Sequence, residues 1–188
     1  MNSNTMIIGV TGNTGAGKST VARILMSKIN FKTLNADKIA RRVLHEKSIE
    51  SRLVRTFGKN ILSKGKISRK KLAKAAFSSF SSVKKLNAIT HPAIRREINK
   101  QMRKNIILDA PLLIEGGFYK KCDYVILVKC DKNTILQRTK KRRYDVRERI
   151  KHQLPEKGKI KYADFVIDNN DSLSNTRKQV NEIARIIT

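Results

Sequence analysis

The stretch Gly12-Asn13-Thr14-Gly15-Ala16-Gly17-Lys18-Ser19 restricts what this chain can become more than any other. It follows a short apolar run, Met6-Ile7-Ile8-Gly9-Val10, which predicts a buried strand. It precedes Thr20-Val21-Ala22-Arg23-Ile24-Leu25-Met26, whose apolar residues recur at helical spacing. Strand, glycine-rich turn and helix opening with G-x-x-x-x-G-K-S form the context a phosphate-binding loop (P-loop) requires. The glycines let successive backbone N–H groups converge on phosphate oxygens, and the new helix aims its positive end at them. Lys18 adds a point charge for the β- and γ-phosphates, and the Ser19 hydroxyl can ligate Mg²⁺. The plain alternative, a flexible turn with a chance Lys-Ser, does not explain the flanking strand and helix. Gly12, Asn13, Thr14, Gly15, Ala16, Gly17, Lys18, Ser19 and Thr20 are therefore candidate contacts to a nucleoside triphosphate.

At 188 residues the chain has the size of one domain, with room for a small inserted subdomain. No apolar run is long enough to span a membrane and the start lacks a hydrophobic signal segment, so a cytoplasmic protein is expected. Met1-Asn2-Ser3-Asn4-Thr5 reads as a disordered lead-in. Cys122 and Cys130 flank an apolar run, a spacing that suits neither a disulfide framework nor a zinc site; buried, reduced thiols are expected.

Lys and Arg total 42 against 15 Asp and Glu, a net charge of +27 that raises the question of nucleic acid. The basic residues are spread along the whole chain, and aromatics make up only 5% with no tryptophan, so stacking platforms for single strands are poorly supplied. A chain rich in Lys, Asn and Ile also fits compositional drift, and a basic surface attracts any anionic substrate. Charge alone decides nothing.

Further along, Phe31-Lys32-Thr33-Leu34 predicts a second strand, ending in Asn35-Ala36-Asp37 before a helical stretch from Lys38 to Leu44. Asp37 is either the N-cap of that helix or a catalytic base at the carboxyl end of a strand, or both. From Ser48 to Arg103 the pattern is helical: Ile49, Leu53, Val54 and Phe57 share a face that Gly58 ends, and Ser68 caps a helix from Arg69 to Phe77. A serine-rich break at 78–82 precedes a helix from Val83 to Ile89, and His91-Pro92 restarts another. Ile106-Ile107-Leu108 then ends in Asp109, the form of the second acidic motif of P-loop proteins, although a carboxylate capping a loop would look the same. Strands are predicted at Tyr124–Val128 and Phe165–Asp168. Asp131 caps a helix from Lys132 to Lys141, followed by a basic run with the character of a mobile lid. Arg138 and Arg142 would share a helix face there if the helix continues. The turn Asn169-Asn170-Asp171 precedes a last helix from Leu173 and could meet an adenine base. In a parallel sheet, the strand ends at Thr11, Asp37 and Asp109 share one edge, the arrangement of a kinase site.

These residues resemble the dephospho-coenzyme A kinase family from about Ile7 to Ile183. The resemblance is carried by Gly9-Val10-Thr11-Gly12 through Thr20, Ala36-Asp37 with Ile39-Ala40-Arg41, Phe57-Gly58, and Gly65 with Ile67 and Arg69. It continues through Leu86-Asn87 with Ile89, His91-Pro92 with Ile94, Asp109 with Pro111-Leu112-Leu113 and Glu115, Gln137-Arg138, Gln153, and Ala163-Asp164 with Val166-Ile167 and Asn169. It implies an α/β fold, a P-loop parallel sheet flanked by helices, with a helical substrate-binding subdomain and a lid. The nucleotide core would span about 6–47 and 105–188, the helical subdomain about 48–104 and the lid about 138–153. The implied reaction moves the γ-phosphate of ATP, with Mg²⁺, to the ribose 3′-hydroxyl of dephospho-coenzyme A, the last step of coenzyme A synthesis. Asp37 corresponds to the family's proposed base; Lys18 and the loop amides hold the phosphates; Ser19 and Asp109 place the metal. Arg138 and Arg142 fall in the lid, Arg138 as a catalytic candidate with Asp37 and Lys18 and Arg142 as a contact to the ATP phosphates, with Asn169 beside the nucleotide, while Arg69, His91, Arg95, Asp37, Asp109 and Leu112 are candidate substrate contacts. A monomer or weak homo-oligomer with a small-molecule substrate is expected, without nucleic acid or membrane. The chain departs from the family pattern at Asn35, where aspartate is usual, and at Asn170-Asp171, where glycine usually follows Asn169. Two other readings predict different substrates: a kinase for another small hydroxyl compound, and an ATPase stimulated by nucleic acid.

Overall fold

The computed structural model describes residues 6–103, 105–140 and 143–188. The lead-in Met1 to Thr5 and the predicted phosphate contact Arg142 lie outside them. In chain order the first elements are β1 (Ile7–Thr11), α1 (Lys18–Ile29), β2 (Lys32–Asn35), α2 (Ala36–Val43), α3 (Lys47–Phe57), β3 (Leu62–Ser63), β4 (Lys66–Ile67), α4 (Arg69–Ala76) and α5 (Phe80–Gln101). Then follow β5 (Ile106–Asp109), β6 (Tyr124–Lys129), α6 (Lys132–Arg138), α7 (Arg143–Lys151), α8 (Glu156–Ile160), β7 (Phe165–Asp168) and α9 (Leu173–Ile187). The chain divides into two compact units, Met1–Asn35 with Met102–Thr188, and Ala36–Gln101.

In the first unit five strands form a parallel sheet in the order β2-β5-β1-β6-β7. The position of each strand follows from its pattern. The central strands β1, β5 and β6 are nearly continuous apolar runs, buried on both faces. The edge strands β2 and β7 keep exposed residues, Lys32 and Thr33 in one, Val166 and Asp168 in the other. Val21, Ala22, Leu25 and Ile29 make the buried stripe of α1, which packs with Val180, Ile183, Ala184 and Ile187 of α9 and with Ile8, Val10, Ile126 and Val128 of the sheet. Complete burial of a side chain such as Leu25 is worth roughly 1.5–3 kcal/mol. Because all five strands run the same way, their carboxyl ends, carrying Thr11, Asn35, Asp109, Lys129 and Asp168, line one edge.

In the second unit α2, α3 and α4 pack on the long helix α5, burying Ile39, Val43, Ile49, Leu53, Leu72, Ala76, Ile89, Ala93 and Ile98. The packing of α2 on α5 places the boundary at Asn35 rather than near residue 47. Ser68 caps α4 as expected, its hydroxyl accepting the Lys71 N–H at 3.5 Å, and Gly58 ends α3. The stretch at Gly65 is a hairpin rather than a simple turn: Lys64 and Gly65, both at positive φ, connect β3 to β4.

Three expectations are corrected. Pro92 does not start a helix; α5 runs through it for 22 residues. The proline removes one backbone donor, and Ala88, four residues earlier, whose carbonyl loses it, is exposed to solvent. Helix α6 stops at Arg138, earlier than predicted, and the face predicted to be shared by Arg138 and Arg142 lies outside the described residues. The Thr139 backbone leaves the helical region there, and its hydroxyl donates to the Ile135 carbonyl at 2.7 Å. Asp37 is not an N-cap, because α2 already begins at Ala36; it stands in the first turn, where a carboxylate complements the positive helix end. Asp131 does occupy the N-cap position of α6, without a side-chain capping bond. Both cysteines are free thiols, Cys130 buried and Cys122 only half-buried.

Candidate active site

The turn from β1 into α1 is shaped by its glycines. Gly17, the last residue before α1, has φ 98°, and a β-carbon there would lie 2.1 Å from Asn169 Nδ2. Gly12, at φ 142°, passes so close to β6 that a β-carbon would meet the Val128 carbonyl oxygen at 2.3 Å. Only glycine fits either position. Between them the Ala16 N–H donates to the Asn13 carbonyl, folding the loop back on itself. Lys18, almost fully buried, donates from Nζ to the same carbonyl at 2.9 Å, so its ammonium lies over the loop.

Beside the loop, at the end of β5, Asp109 is 2% exposed. Its Oδ2 accepts two hydrogen bonds of 2.6 Å, one from the Ser19 hydroxyl and one from the Asn35 amide. Asn35 is the register partner of Asp109 on the neighbouring strand, which explains the approach. The first helical turn of α1 and the ends of β2 and β5 thus converge on one carboxylate. Among the described residues no three His, Cys, Asp or Glu side chains gather into a metal cage. The Asp109 carboxylate with the Ser19 hydroxyl is instead a sparse set of hard oxygen donors, which fits Mg²⁺, an ion that keeps waters and takes phosphate oxygens for most of its shell.

On the other side of the loop, Asn169 follows β7. Its Nδ2 donates to the Ala16 carbonyl at 2.7 Å and its Oδ1 accepts from the buried Thr176 hydroxyl at 2.6 Å. Arg138, in the last turn of α6, donates to the carbonyls of Asn169, Asn170 and Asp171 at 2.6, 3.1 and 3.2 Å and to Cys130 Sγ at 3.6 Å. In this structure its guanidinium therefore braces the β7–α9 loop. The Cys130 thiol is pushed up by burial, against the opposing pull of Arg138.

Such a loop, at the carboxyl edge of a parallel sheet ordered β2-β5-β1-β6-β7 and flanked by a buried acidic strand end, is the arrangement of a nucleotide-dependent kinase. The family model for dephospho-CoA kinase matches residues 6–175. The chain is 41% identical to the dephospho-CoA kinase of Fusobacterium nucleatum, with 97% of this chain and 98% of that one covered. The chain belongs to the dephospho-CoA kinase family. It is also 40% identical to the Aquifex aeolicus dephospho-CoA kinase, over 96% of this chain and 97% of that one. Its fold superposes on the dephospho-CoA kinase structure from Campylobacter jejuni with a TM-score of 0.70 at 31% identity, covering 96% of each chain.

The other family positions lie in both units. Leu112 follows Asp109 in the half-buried start of the β5–β6 connection. In the helical unit Arg69 opens α4, and His91 and Arg95 are one turn apart on α5. Burial, and then the Arg95 charge, hold the His91 imidazole below its ordinary pKa, so it is neutral at neutral pH.

Contacts that sequence reasoning did not anticipate surround the same edge. The side-chain carbonyl of Gln153 accepts the Thr14 N–H of the phosphate loop at 3.0 Å. Lys159, completely buried in α8, donates to the Pro111 carbonyl at 2.9 Å and pairs with Glu115 Oε1 at 3.3 Å. The same Glu115 oxygen accepts the Leu154 N–H at 2.9 Å. Glu115 and Gln153 belong to the stretches that carry the family resemblance, but nothing in their spacing tied them to the loop. Lys159 is one of many lysines in an unusually basic chain, and only its burial distinguishes it.

Proposed function

We propose that this protein transfers the γ-phosphate of ATP to the ribose 3′-hydroxyl of dephospho-coenzyme A, yielding coenzyme A and ADP. The observation that carries the reading is the convergence of Ser19, Asn35 and the buried Asp109 beside the glycine loop, in a chain of this family. Phosphoryl transfer asks little covalent work of a protein; it needs positioned reactants and neutralised phosphate oxygens. The N–H groups of the loop and of the start of α1, with Lys18, bind and orient the triphosphate. Ser19 and Asp109 would hold Mg²⁺, which when bound draws charge from the phosphate oxygens. Asp37 accepts the proton of the attacking hydroxyl, a role supported by its match to the family's proposed base and by its position two residues after Asn35. Asn169, with its loop braced by Arg138, lies alongside the nucleotide, and Arg142 remains a candidate phosphate contact from the family match. Arg69, His91, Arg95 and Leu112 are assigned to the second substrate on the same basis. Two free thiols fit a reducing compartment, and we place the reaction in the cytoplasm.

A coupled ADP-release assay with Mg-ATP tests the reading, comparing dephospho-coenzyme A, nucleosides and single-stranded DNA. ADP formed one-for-one with coenzyme A, in the dephospho-coenzyme A sample alone, is the expected result. ADP release driven by DNA, with silence toward dephospho-coenzyme A, would overturn it.

A further inference from the structure

The bonds around Gln153 form a continuous path. The Thr14 N–H of the phosphate loop donates to Gln153 Oε1. The next residue, Leu154, donates its own N–H to Glu115 Oε1, and that oxygen also faces the ammonium of Lys159. Lys159 in turn holds the carbonyl of Pro111, two residues beyond Asp109. The path thus joins the loop after β1 to the loop after β5 through the segment that follows α7. Gln153 is fixed from behind as well, since its N–H donates to the Ile150 carbonyl at 3.1 Å. At the far end sits a lysine with no solvent exposure, its charge answered by Glu115. A buried charged group held by a carboxylate and a backbone carbonyl resists displacement, because losing either partner leaves it unsatisfied.

We propose that Gln153 is a positioning residue of the phosphate site: as a neutral acceptor on the Thr14 N–H, and as one end of the bridge to Glu115, Lys159 and Pro111, it sets the phosphate loop in register with the Asp109 loop. The proposal rests on the assignment of the glycine loop to ATP. Neutrality is the informative feature. A carboxylate reaches the same N–H with the same geometry, but it would place a negative charge at a site built to gather anionic oxygens. Glutamine supplies the acceptor without opposing the ligand.

Gln153→Glu and Gln153→Met separate these contributions, with binding of adenosine, ADP and ATP measured by calorimetry on the full chain. For Gln153→Glu the proposal expects ADP and ATP affinity to fall about tenfold near pH 8, with adenosine affinity unchanged because it carries no phosphate. The loss should shrink toward about pH 5, where an introduced glutamate begins to protonate and again offers a neutral carbonyl. Gln153→Met, which keeps the shape and removes the acceptor, is expected to weaken ADP and ATP a few-fold and to leave adenosine alone. ADP and ATP binding unchanged in both variants would overturn the proposal, as would a loss shared equally by adenosine, which marks a general structural defect. Wild-type protein that binds neither ADP nor ATP would instead overturn the assignment of the loop to ATP, so the two failures are distinct.

Discussion

Replacing Gly17 by alanine puts a methyl group where the structure has no place for one. The backbone there is left-handed at φ 98°, which costs an L residue roughly 1–2 kcal/mol. The new β-carbon would also stand 2.1 Å from Asn169 Nδ2. An obstacle at the end of a side chain ordinarily swings aside cheaply. Here both ends of the amide are engaged, Nδ2 on the Ala16 carbonyl and Oδ1 on the Thr176 hydroxyl, and both bonds are buried. Moving Asn169 therefore loses two buried hydrogen bonds at about 1 kcal/mol each, more where a partner stays unsatisfied. The sum is about 3–5 kcal/mol, or a fall in Tm of about 6–20 °C for a chain of this length. A double-mutant cycle with Asn169→Ala isolates the cause. In that background the obstacle is gone, and Gly17→Ala should cost only the backbone share, about 1–2 kcal/mol. Equal costs in the two backgrounds, by urea unfolding, would refute the assignment of the loss to the Asn169 contact.

Asp37→Asn is expected to abolish most turnover while leaving ATP affinity within a few-fold of wild type; parallel losses of both would show that Asp37 acts structurally. Lys18→Ala removes a buried ammonium from the phosphate loop, and both ATP affinity and phosphoryl transfer should fall; unchanged steady-state kinetics would contradict its role. Burial holds Lys159 below the ordinary lysine pKa of 10.5, against the opposing pull of Glu115. Between the lowered value and 10.5 the unfolded chain binds the proton more readily than the native state, so the contribution of this group to stability rises with pH across that window. Lys159→Met should flatten that part of the stability–pH curve in urea unfolding, and superimposable slopes would show that the group does not titrate abnormally.

Much of the sheet was legible because its strands are short apolar runs bounded by functional turns. Ile106-Ile107-Leu108 ends in Asp109 both in the sequence pattern and in space, and the glycine loop declares the strand before it and the helix after it. The helical unit was less legible at its joints. A proline at position 92 signals a helix start when only local rules apply, yet α5 absorbs it because its buried face, Ile89, Ala93 and Ile98, continues through. The residues that hold the loops together were the hardest to see. Asn169 and Thr176 lie in different elements, as do Gln153 and Thr14, and Lys159 and Pro111. No periodicity encodes such pairs, since each contact arises only when the parallel sheet brings distant loops to the same edge.

Asn35 shows how a departure from the family pattern can keep geometry while changing charge. The residue pairs in register with Asp109, so whatever side chain stands there meets that carboxylate. An aspartate, usual in the family, would face it with a second carboxylate at hydrogen-bonding distance, an arrangement that needs a proton or a cation between the two. The asparagine amide instead donates to Asp109 Oδ2, joining the Ser19 hydroxyl on the same oxygen. Two neutral donors, the Ser19 hydroxyl and the Asn35 amide, thus orient the acid. One negative charge is missing from the edge where phosphates are expected, and the cation demand of the site falls with it. The alignment of Asp109 with the start of α1 rests on the Ser19 hydroxyl, and the Asn35 amide adds a second donor that an ionised aspartate could not supply, so the replacement exchanges a charge for a hydrogen bond at the same register position.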